Sequence, residues 1–350
     1  MIILQDSQIK KIFHNGDEVK KILDWDGNVI FYKQSGGGGV MTNDIKFRTT
    51  SSATSANVFT VTYTDSTQDT VSYSEPNKEY SISIPTDKVV NKIDFDNTMV
   101  DEVKVSCKVN LSETFFTKKP KTIRILNCDA TSSTSMYSLF SGSTNVETIE
   151  MKNSDFSNVT TMYNMFYKCS GATTIDIANC KTNKLSFMSN MFYYCSRLTS
   201  LDLSNFDTSN VVDMSSMFTL SYNLQFLDIS GFNTSKVNDM SNMFAYCSRL
   251  TSLDLSNFDT SNVIDMSSMF EQCSSLVSID FSSFNTSKLD DMHSMFRDCS
   301  GLTSLDLSNF NTSGVTSMSS MFRGCKSLTS LTLSNFNTSG VTSMSSMFRG

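Results

Sequence analysis

The sequence lacks several features that targeting signals and nucleic-acid-binding surfaces require. It has no block rich in lysine or arginine and no apolar run long enough to span a bilayer. Residues 1–7 turn polar after four residues, so we expect neither a Sec-type export signal nor membrane insertion. With 28 basic and 35 acidic residues, the chain has no cationic footprint for phosphates, so nucleic acid is not an expected partner.

Residues that usually carry catalysis are equally scarce. A nucleophile needs a nearby base, and the only histidines are His14, in a predicted turn, and His293, on a predicted helix. No Gly-x-Ser-x-Gly elbow occurs, and glycines 36–39 precede no Lys-Ser/Thr pair of a phosphate-binding loop. We therefore predict a protein that is not an enzyme and has no cofactor. An enzyme acting on polysaccharide with two acids is kept as a minor alternative.

The nine cysteines are an odd number without paired short spacings. This favours packed free thiols and folding in a reducing cytoplasm over a disulfide framework. Ser221 takes the place of one member of a recurring set, which argues for packing rather than metal ligation. The 21 methionines could supply soft ligands for copper(I), but methionines repeated on one apolar face indicate a core. We predict no metal site. The recurring cysteines are Cys169, Cys195, Cys247, Cys273, Cys299 and Cys325.

Three zones precede the main part of the chain. Residues 1–34 predict three short strands, because Asn15-Gly16 and Asp26-Gly27 favour tight hairpin turns. A segment this small rarely folds alone, so we interpret it as an attachment module. The glycine-rich residues 35–40 predict a flexible linker. Residues 41–118 alternate apolar and polar side chains and predict an immunoglobulin-like sandwich, with a β cap continuous with the following repeats as the alternative.

From residue 119 to residue 350 the chain repeats itself every 26 residues. Residues 198–206, Leu-Thr-Ser-Leu-Asp-Leu-Ser-Asn-Phe, recur unchanged at 250–258 and 302–310. The period and the Leu-x-x-Leu-x-Leu pattern are typical of a leucine-rich-repeat solenoid of the α/β class, with a parallel sheet on its concave face. We predict nine repeats, the last of them incomplete.

Each repeat predicts a strand followed by a helix. Leu201 and Leu203 alternate with polar residues and should point into the core. Met214, Met217 and Phe218 fall with Val211 at helical spacing and should cover the same core. A second aromatic column should stack as a spine of rings. It comprises Phe206, Phe232, Phe258, Phe284, Phe310 and Phe336.

An acidic residue recurs on the outward face of seven of the predicted strands. Aligned carboxylates repel by roughly 1 kcal/mol per neighbouring pair in water, so the alignment gives no stability by itself. Neighbouring serine hydroxyls and solvent could satisfy these groups. The alternative is a binding strip for a basic partner or for calcium. This acidic column comprises Glu150, Asp176, Asp202, Asp228, Asp254, Asp280 and Asp306.

The unit Leu-Thr-Ser-Leu-Asp-Leu-Ser-Asn-Phe-Asp-Thr-Ser-Asn-Val-x-Asp-Met-Ser-Ser-Met-Phe resembles the BspA-like leucine-rich repeat of bacterial surface proteins, also met in mycoplasma-type lipoproteins. The resemblance covers residues from about 120 to 350 and implies surface display and adhesion without catalysis. The start of the chain shows neither the export signal nor the lipid-acceptor cysteine expected of such proteins.

Residues 9–22 resemble short β-modules at the start of phage tail and other virion proteins. Virion proteins assemble in the host cytoplasm, which would explain a missing export signal. We therefore predict a non-catalytic virion protein in a tail, fibre or decoration position, with a bacterial surface adhesin as the alternative. Expected partners are other virion or surface subunits, further copies of the chain, and a host receptor made of protein or glycan.

Overall fold

The structure is a computed structural model, and it divides the chain into two compact units, residues 1–39 and 40–350. The predicted linker, residues 35–40, lies outside the described residues. Those described are residues 11–14, 19–23, 29–31 and 41–350, apart from residues 52, 54–56, 96–98 and 117–118.

The first unit contains three antiparallel strands in the order β1-β2-β3. They are β1 (Lys11–His14), β2 (Val19–Leu23) and β3 (Val29–Phe31). Strands that pair in chain order form a meander. The two predicted turns between these strands lie in segments outside the described residues.

The second unit begins with two sheets that pack face to face. One contains β7, β4 and β9, and the other contains β6, β5 and β8. Phe47 on β4 stacks on Phe59 on β5 with ring centroids 4.1 Å apart, which places apolar rings at the centre of a sandwich. The strands are β4 (Asp44–Thr49), β5 (Asn57–Tyr63), β6 (Gln68–Tyr73), β7 (Glu79–Ser83), β8 (Val90–Asp94) and β9 (Val100–Ser106).

The sandwich continues into the repeats without a break in the sheet. Strand β9 pairs in parallel with β10 (Thr122–Leu126), which pairs with β11 (Thr148–Lys152) and then β12 (Thr174–Asp176). Val103, Ile123, Ile149 and Ile175 therefore lie side by side, and one hydrophobic core runs through both parts. The sheet of β7, β4 and β9 is therefore continuous with that of the first repeats.

We call each 26-residue repeat of the solenoid a rung. The later rungs form shorter parallel pairs. Strand β13 (Ser200–Asp202) pairs with β14 (Phe226–Asp228), and β15 (Ser304–Asp306) pairs with β16 (Ser330–Thr332). Residues 252–254 and 278–280 occupy the same position in their rungs but are not part of a regular strand. The 26-residue repeat therefore builds a β-solenoid.

The prediction of a helix in each repeat is wrong. No helix occurs in residues 119–350, all of which the structure describes. Val211, Met214, Met217 and Phe218 are all fully buried, as predicted, but they lie on a series of tight turns. The α/β leucine-rich-repeat class is therefore not confirmed, whereas the solenoid and the N-terminal β region are.

The hydrogen bonds explain why the turns imitate a helix. The N–H of Met217 bonds to the carbonyl of Met214, so each turn returns the chain to the core after three residues. Alternate N–H groups leave the rung: those of Ser216 and Phe218 bond to the carbonyls of Ser241 and Met243 in the next rung, at 2.8 and 2.9 Å. Ser216 adopts a φ of 55°, a left-handed value that an α-helix cannot contain. The buried residues recur at the spacing of a helix, but the backbone between them is not helical.

A ladder of phenylalanine rings runs the length of the solenoid. Neighbouring rings are nearly parallel, and their centroids lie 5.2 Å apart at Phe166–Phe192 and 5.9 Å apart at Phe296–Phe322. Offset stacking of buried rings adds to the burial of their area. The ladder comprises Phe140, Phe166, Phe192, Phe218, Phe244, Phe270, Phe296, Phe322 and Phe348.

The prediction that the column of Phe206 forms the continuous spine of rings is wrong, although Phe284 and Phe310 of that column do stack, with centroids 6.3 Å apart. Phe206 is buried, as predicted, but the continuous ladder belongs to the column of Phe218. The backbone explains the difference. The N–H of Phe218 bonds to the next rung and holds the rings at the rung spacing, whereas that of Phe206 bonds to Leu203 within its own rung.

Buried threonines tie each rung to the next. The hydroxyl of Thr208 donates to the carbonyl of Asn233 at 2.9 Å and accepts the N–H of the same residue at 2.8 Å. A buried hydroxyl that both donates and accepts a hydrogen bond incurs little desolvation penalty, and these two bonds fix the register of the rungs. The buried members of this column are Thr182, Thr208, Thr234, Thr260, Thr286 and Thr312.

We predict that Phe218→Ala lowers the free energy of unfolding by about 3–5 kcal/mol, because it removes a buried ring and two stacking contacts. Chemical denaturation would measure the loss. Phe187→Ala is the matched control, since that ring is 47% exposed and should cost less than about 1 kcal/mol. Equal stability of the two variants would contradict the assignment of the ladder as the core.

Candidate functional site

The acidic column follows the strands of successive rungs. Glu150 lies opposite Asp176, and Asp202 lies opposite Asp228, in register on neighbouring parallel strands. Parallel strands are about 4.8 Å apart, so these carboxyl groups are close neighbours. At the far end the partner of Asp306 is Thr332, where the column stops. The other members of the column, Asp254 and Asp280, occupy the same position of their rungs.

A hydrogen-bonded turn holds each aspartate from Asp202 onward. The Oδ1 atom of Asp202 accepts the backbone N–H of Ser204 at 2.9 Å and the hydroxyl of Ser204 at 2.6 Å. Aspartate commonly closes a turn by accepting from the residue two positions on. The same N–H contact recurs at Asp228, Asp254, Asp280 and Asp306.

The turns lower the pKa of three of these aspartates. Hydrogen bonds from the N–H and hydroxyl groups of Ser256 hold the pKa of Asp254 below its usual range, and serines act in the same way on the pKa of Asp280 and of Asp306. The turn thus gives every one of these carboxylates a structural role. It engages Oδ1 of Asp202 and leaves Oδ2 available to a ligand.

Basic side chains neutralise only the first part of the acidic column. The guanidinium of Arg124 contacts both Glu102 and Glu150, and the ammonium of Lys152 lies 2.6 Å from Asp176. From Asp202 to Asp306 the column makes no ion pair within residues 121–350, all of which the structure describes. The uncompensated negative strip is therefore limited to five rungs.

A second row of acids, which the sequence analysis did not single out, follows the turn side of the rungs. Asp213, Asp239, Asp265 and Asp291 are linked in parallel bridges from rung to rung. Burial raises the pKa of Asp239, and the neighbouring Asp265 and Asp213 add to the rise. The recurring Asp-Met dipeptide was the signal for this row in the sequence.

The two histidines lie in separate settings. The Nδ1 atom of His293 lies 2.9 Å from Oδ1 of Asp291, on the turn segment where a helix was predicted. His14 is the last residue of β1 rather than part of a turn. The expectation that the chain is not an enzyme stays a prediction.

The cysteine column is buried and hydrogen-bonded. The Cys169 thiol donates to the carbonyl of Phe140 at 3.0 Å, and the same contact recurs along the column. The hydroxyl of Ser221 makes an equivalent bond to Phe192 at 2.9 Å, which explains why serine replaces cysteine there. In the part of the chain that the structure describes, no group of three or more histidine, cysteine or acidic residues is placed to hold a metal ion.

A cleft that the sequence analysis missed lies where the sandwich meets the first rungs. Its volume is about 510 Å3. Basic residues in its wall are Lys119, Lys121 and Arg197, and the acids are Asp101 and Glu147. Lys119 and Arg197 lie three periods apart in the sequence, so the 26-residue period itself was the signal that could have aligned them.

The fold and its repeated columns define a β-solenoid repeat protein. The chain belongs to the family described as "Mycoplasma protein of unknown function, DUF285", whose model matches residues 87–199, 170–277 and 247–350. None of the curated proteins matches the chain. Among the described residues there is no helix long and apolar enough to cross a membrane.

We predict that the buried thiols resist alkylation and disulfide exchange in the folded protein. Burial raises the pKa of Cys247 to about 12 and that of Cys325 to about 11, so little thiolate forms near neutral pH. Cys325 is the only one of the nine that is not fully buried, and it should react first. Ellman's reagent applied to folded and unfolded protein would measure this. Rapid reaction of all nine thiols in the folded state would contradict it.

Proposed function

We propose that the chain is a non-catalytic recognition protein whose solenoid presents the acidic strip from Asp202 to Asp306 to a basic partner. The observation that carries the proposal is that these five carboxylates occupy one position of successive rungs and make no ion pair with the basic side chains of residues 121–350, while Glu150 and Asp176 in the same column are paired. A strip of one charge attracts a partner of the opposite charge and orients its approach.

We further propose a place for the protein in a virion tail, fibre or decoration layer, where residues 1–34 attach it and the solenoid faces a host receptor or a neighbouring subunit. The separate N-terminal unit supports this proposal, as does the resemblance of residues 9–22 to short virion β-modules. A segment of 34 residues is shorter than the roughly 40 residues that a domain usually needs to be stable alone, so a partner surface would complete the module.

A bacterial surface adhesin is the second candidate. The family match favours it, because that family is described from Mycoplasma proteins, and the repeat unit resembles the BspA-like repeats of surface proteins. Both candidate functions use the solenoid for recognition. They differ in whether a virion or a bacterial cell displays the protein.

Replacing Asp202, Asp228 and Asp254 together by asparagine tests the recognition strip. Asparagine keeps the turn acceptor and removes three charges, so binding of an oligolysine peptide should weaken. Titration calorimetry at low ionic strength would measure the affinity, and added salt should weaken the wild type more than the variant. Stability should change by no more than about 1 kcal/mol.

The matched control replaces Asp213, Asp239 and Asp265 by asparagine, which removes the same charge from the second acidic row in the same rungs. Equal loss of binding in the two variants would show a general charge effect and contradict the strip. Calcium offered in place of the peptide tests the alternative ligand of the acidic column.

Deleting residues 1–34 tests the attachment role. The thermal transition of the solenoid should be unchanged, because residues 40–350 form a compact unit with their own core. The shortened protein should be lost from purified virions, as measured by mass spectrometry. Its normal incorporation would refute attachment through this segment, and recovery of the full chain in the cell envelope would favour the adhesin.

A further inference from the structure

The cleft at the start of the solenoid is built from one column of the repeat. Lys119, Asn145, Gly171 and Arg197 occupy the same position in successive rungs, just before each strand. With about 4.8 Å between rungs, the column extends over roughly 14 Å. That length accommodates one or two pyranose rings.

Glycine at position 171 shapes the floor of the cleft. A Cβ atom there would lie 2.1 Å from the carbonyl oxygen of Thr144, so the backbones approach too closely for any side chain. No side chain therefore projects from the row between Asn145 and Arg197.

Lys119 is the basic residue of the cleft wall that is partly buried and has no ion pair among the described residues. It is half-buried, and its ammonium group donates one long hydrogen bond, of 3.4 Å, to the carbonyl of Ser141. No carboxylate among the described residues lies within ion-pair distance of it, whereas Lys121 lies 3.9 Å from Glu147. Burial lowers the pKa of Lys119, which reflects the cost of holding this charge away from water. An anion in the cleft would reduce that cost.

The other groups in the wall restrict the anion to one class. Three cations face two carboxylates, Asp101 and Glu147, which leaves one net positive charge, enough for a monoanion and unfavourable for a polyphosphate. The remaining wall is largely hydroxyl and amide groups, such as those of Thr144 and Asn145. Carboxylates and amides together accept and donate hydrogen bonds to a ligand rich in hydroxyl groups.

We propose that this cleft binds a saccharide carrying a single carboxylate, with Lys119 on the carboxylate and with Arg197, Asp101, Glu147 and Asn145 on the sugar hydroxyls. The inference rests on the proposed role in recognition and adds to it a second site with a ligand of opposite charge. The cleft lies outside the strip from Asp202 to Asp306, so each site is testable without the other.

Titration of the full-length protein with sodium glucuronate tests the cleft, with glucose as the neutral match and sodium sulfate as the simple anion. We expect glucuronate to bind and the other two to bind at least about tenfold more weakly. Lys119→Met keeps the length of the side chain, and Arg197→Gln keeps a hydrogen-bond donor. Each variant should weaken glucuronate binding at least about tenfold, the usual effect of losing a charged hydrogen bond.

Arg249→Gln is the matched control, because Arg249 occupies the same column two rungs beyond Arg197 and does not line the cleft. It should bind glucuronate like the wild type. Absence of glucuronate binding, equal binding of glucose or sulfate, or unchanged binding by Lys119→Met would overturn the inference. Oligolysine binding measured on the same variants separates the two proposals, since it should persist whether or not the cleft binds a sugar.

Discussion

Backbone N–H groups in the turn segments bond to carbonyl groups of the following rung, and a single rung has no replacement for those partners. The N–H groups of Met214, Ser216 and Phe218 all bond in this way, at 2.8–3.1 Å. Buried N–H groups without acceptors are costly, so each rung needs its neighbour for its hydrogen bonds as well as for its apolar contacts. The register that these bonds impose also aligns the phenylalanine ladder, the cysteine column and both rows of acids.

The period of the sequence predicted which residues are buried, but it could not predict the backbone conformation between them. Met214, Met217 and Phe218 have the spacing of an amphipathic helix because consecutive turns return to the core after three or four residues. The sequence signal that distinguishes a series of turns from a helix was weak. Asn164, Asn190 and Asn242 recur at the left-handed position of the first turn, which asparagine tolerates better than most residues.

The acidic column could be located from the sequence. Which of its members form ion pairs could not be predicted. Arg124 and Lys152 are ordinary basic residues in their own repeats, and only the parallel register places them beside Glu150 and Asp176. The cleft could not be predicted from the sequence for the same reason. Lys119 precedes the first strand of the solenoid and Arg197 the fourth, so their shared column is meaningful only once the rungs are stacked on the sandwich.

The single covalent connection between successive rungs has a mechanical consequence. A tensile load on the chain reaches the last rung through that one connection, so the hydrogen bonds to the next rung break in sequence and not all together. Each released rung of 26 residues would add roughly 80 Å of extended chain. Under load, such a solenoid lengthens in equal steps and absorbs work at each step, while the rungs that remain stacked keep their shape.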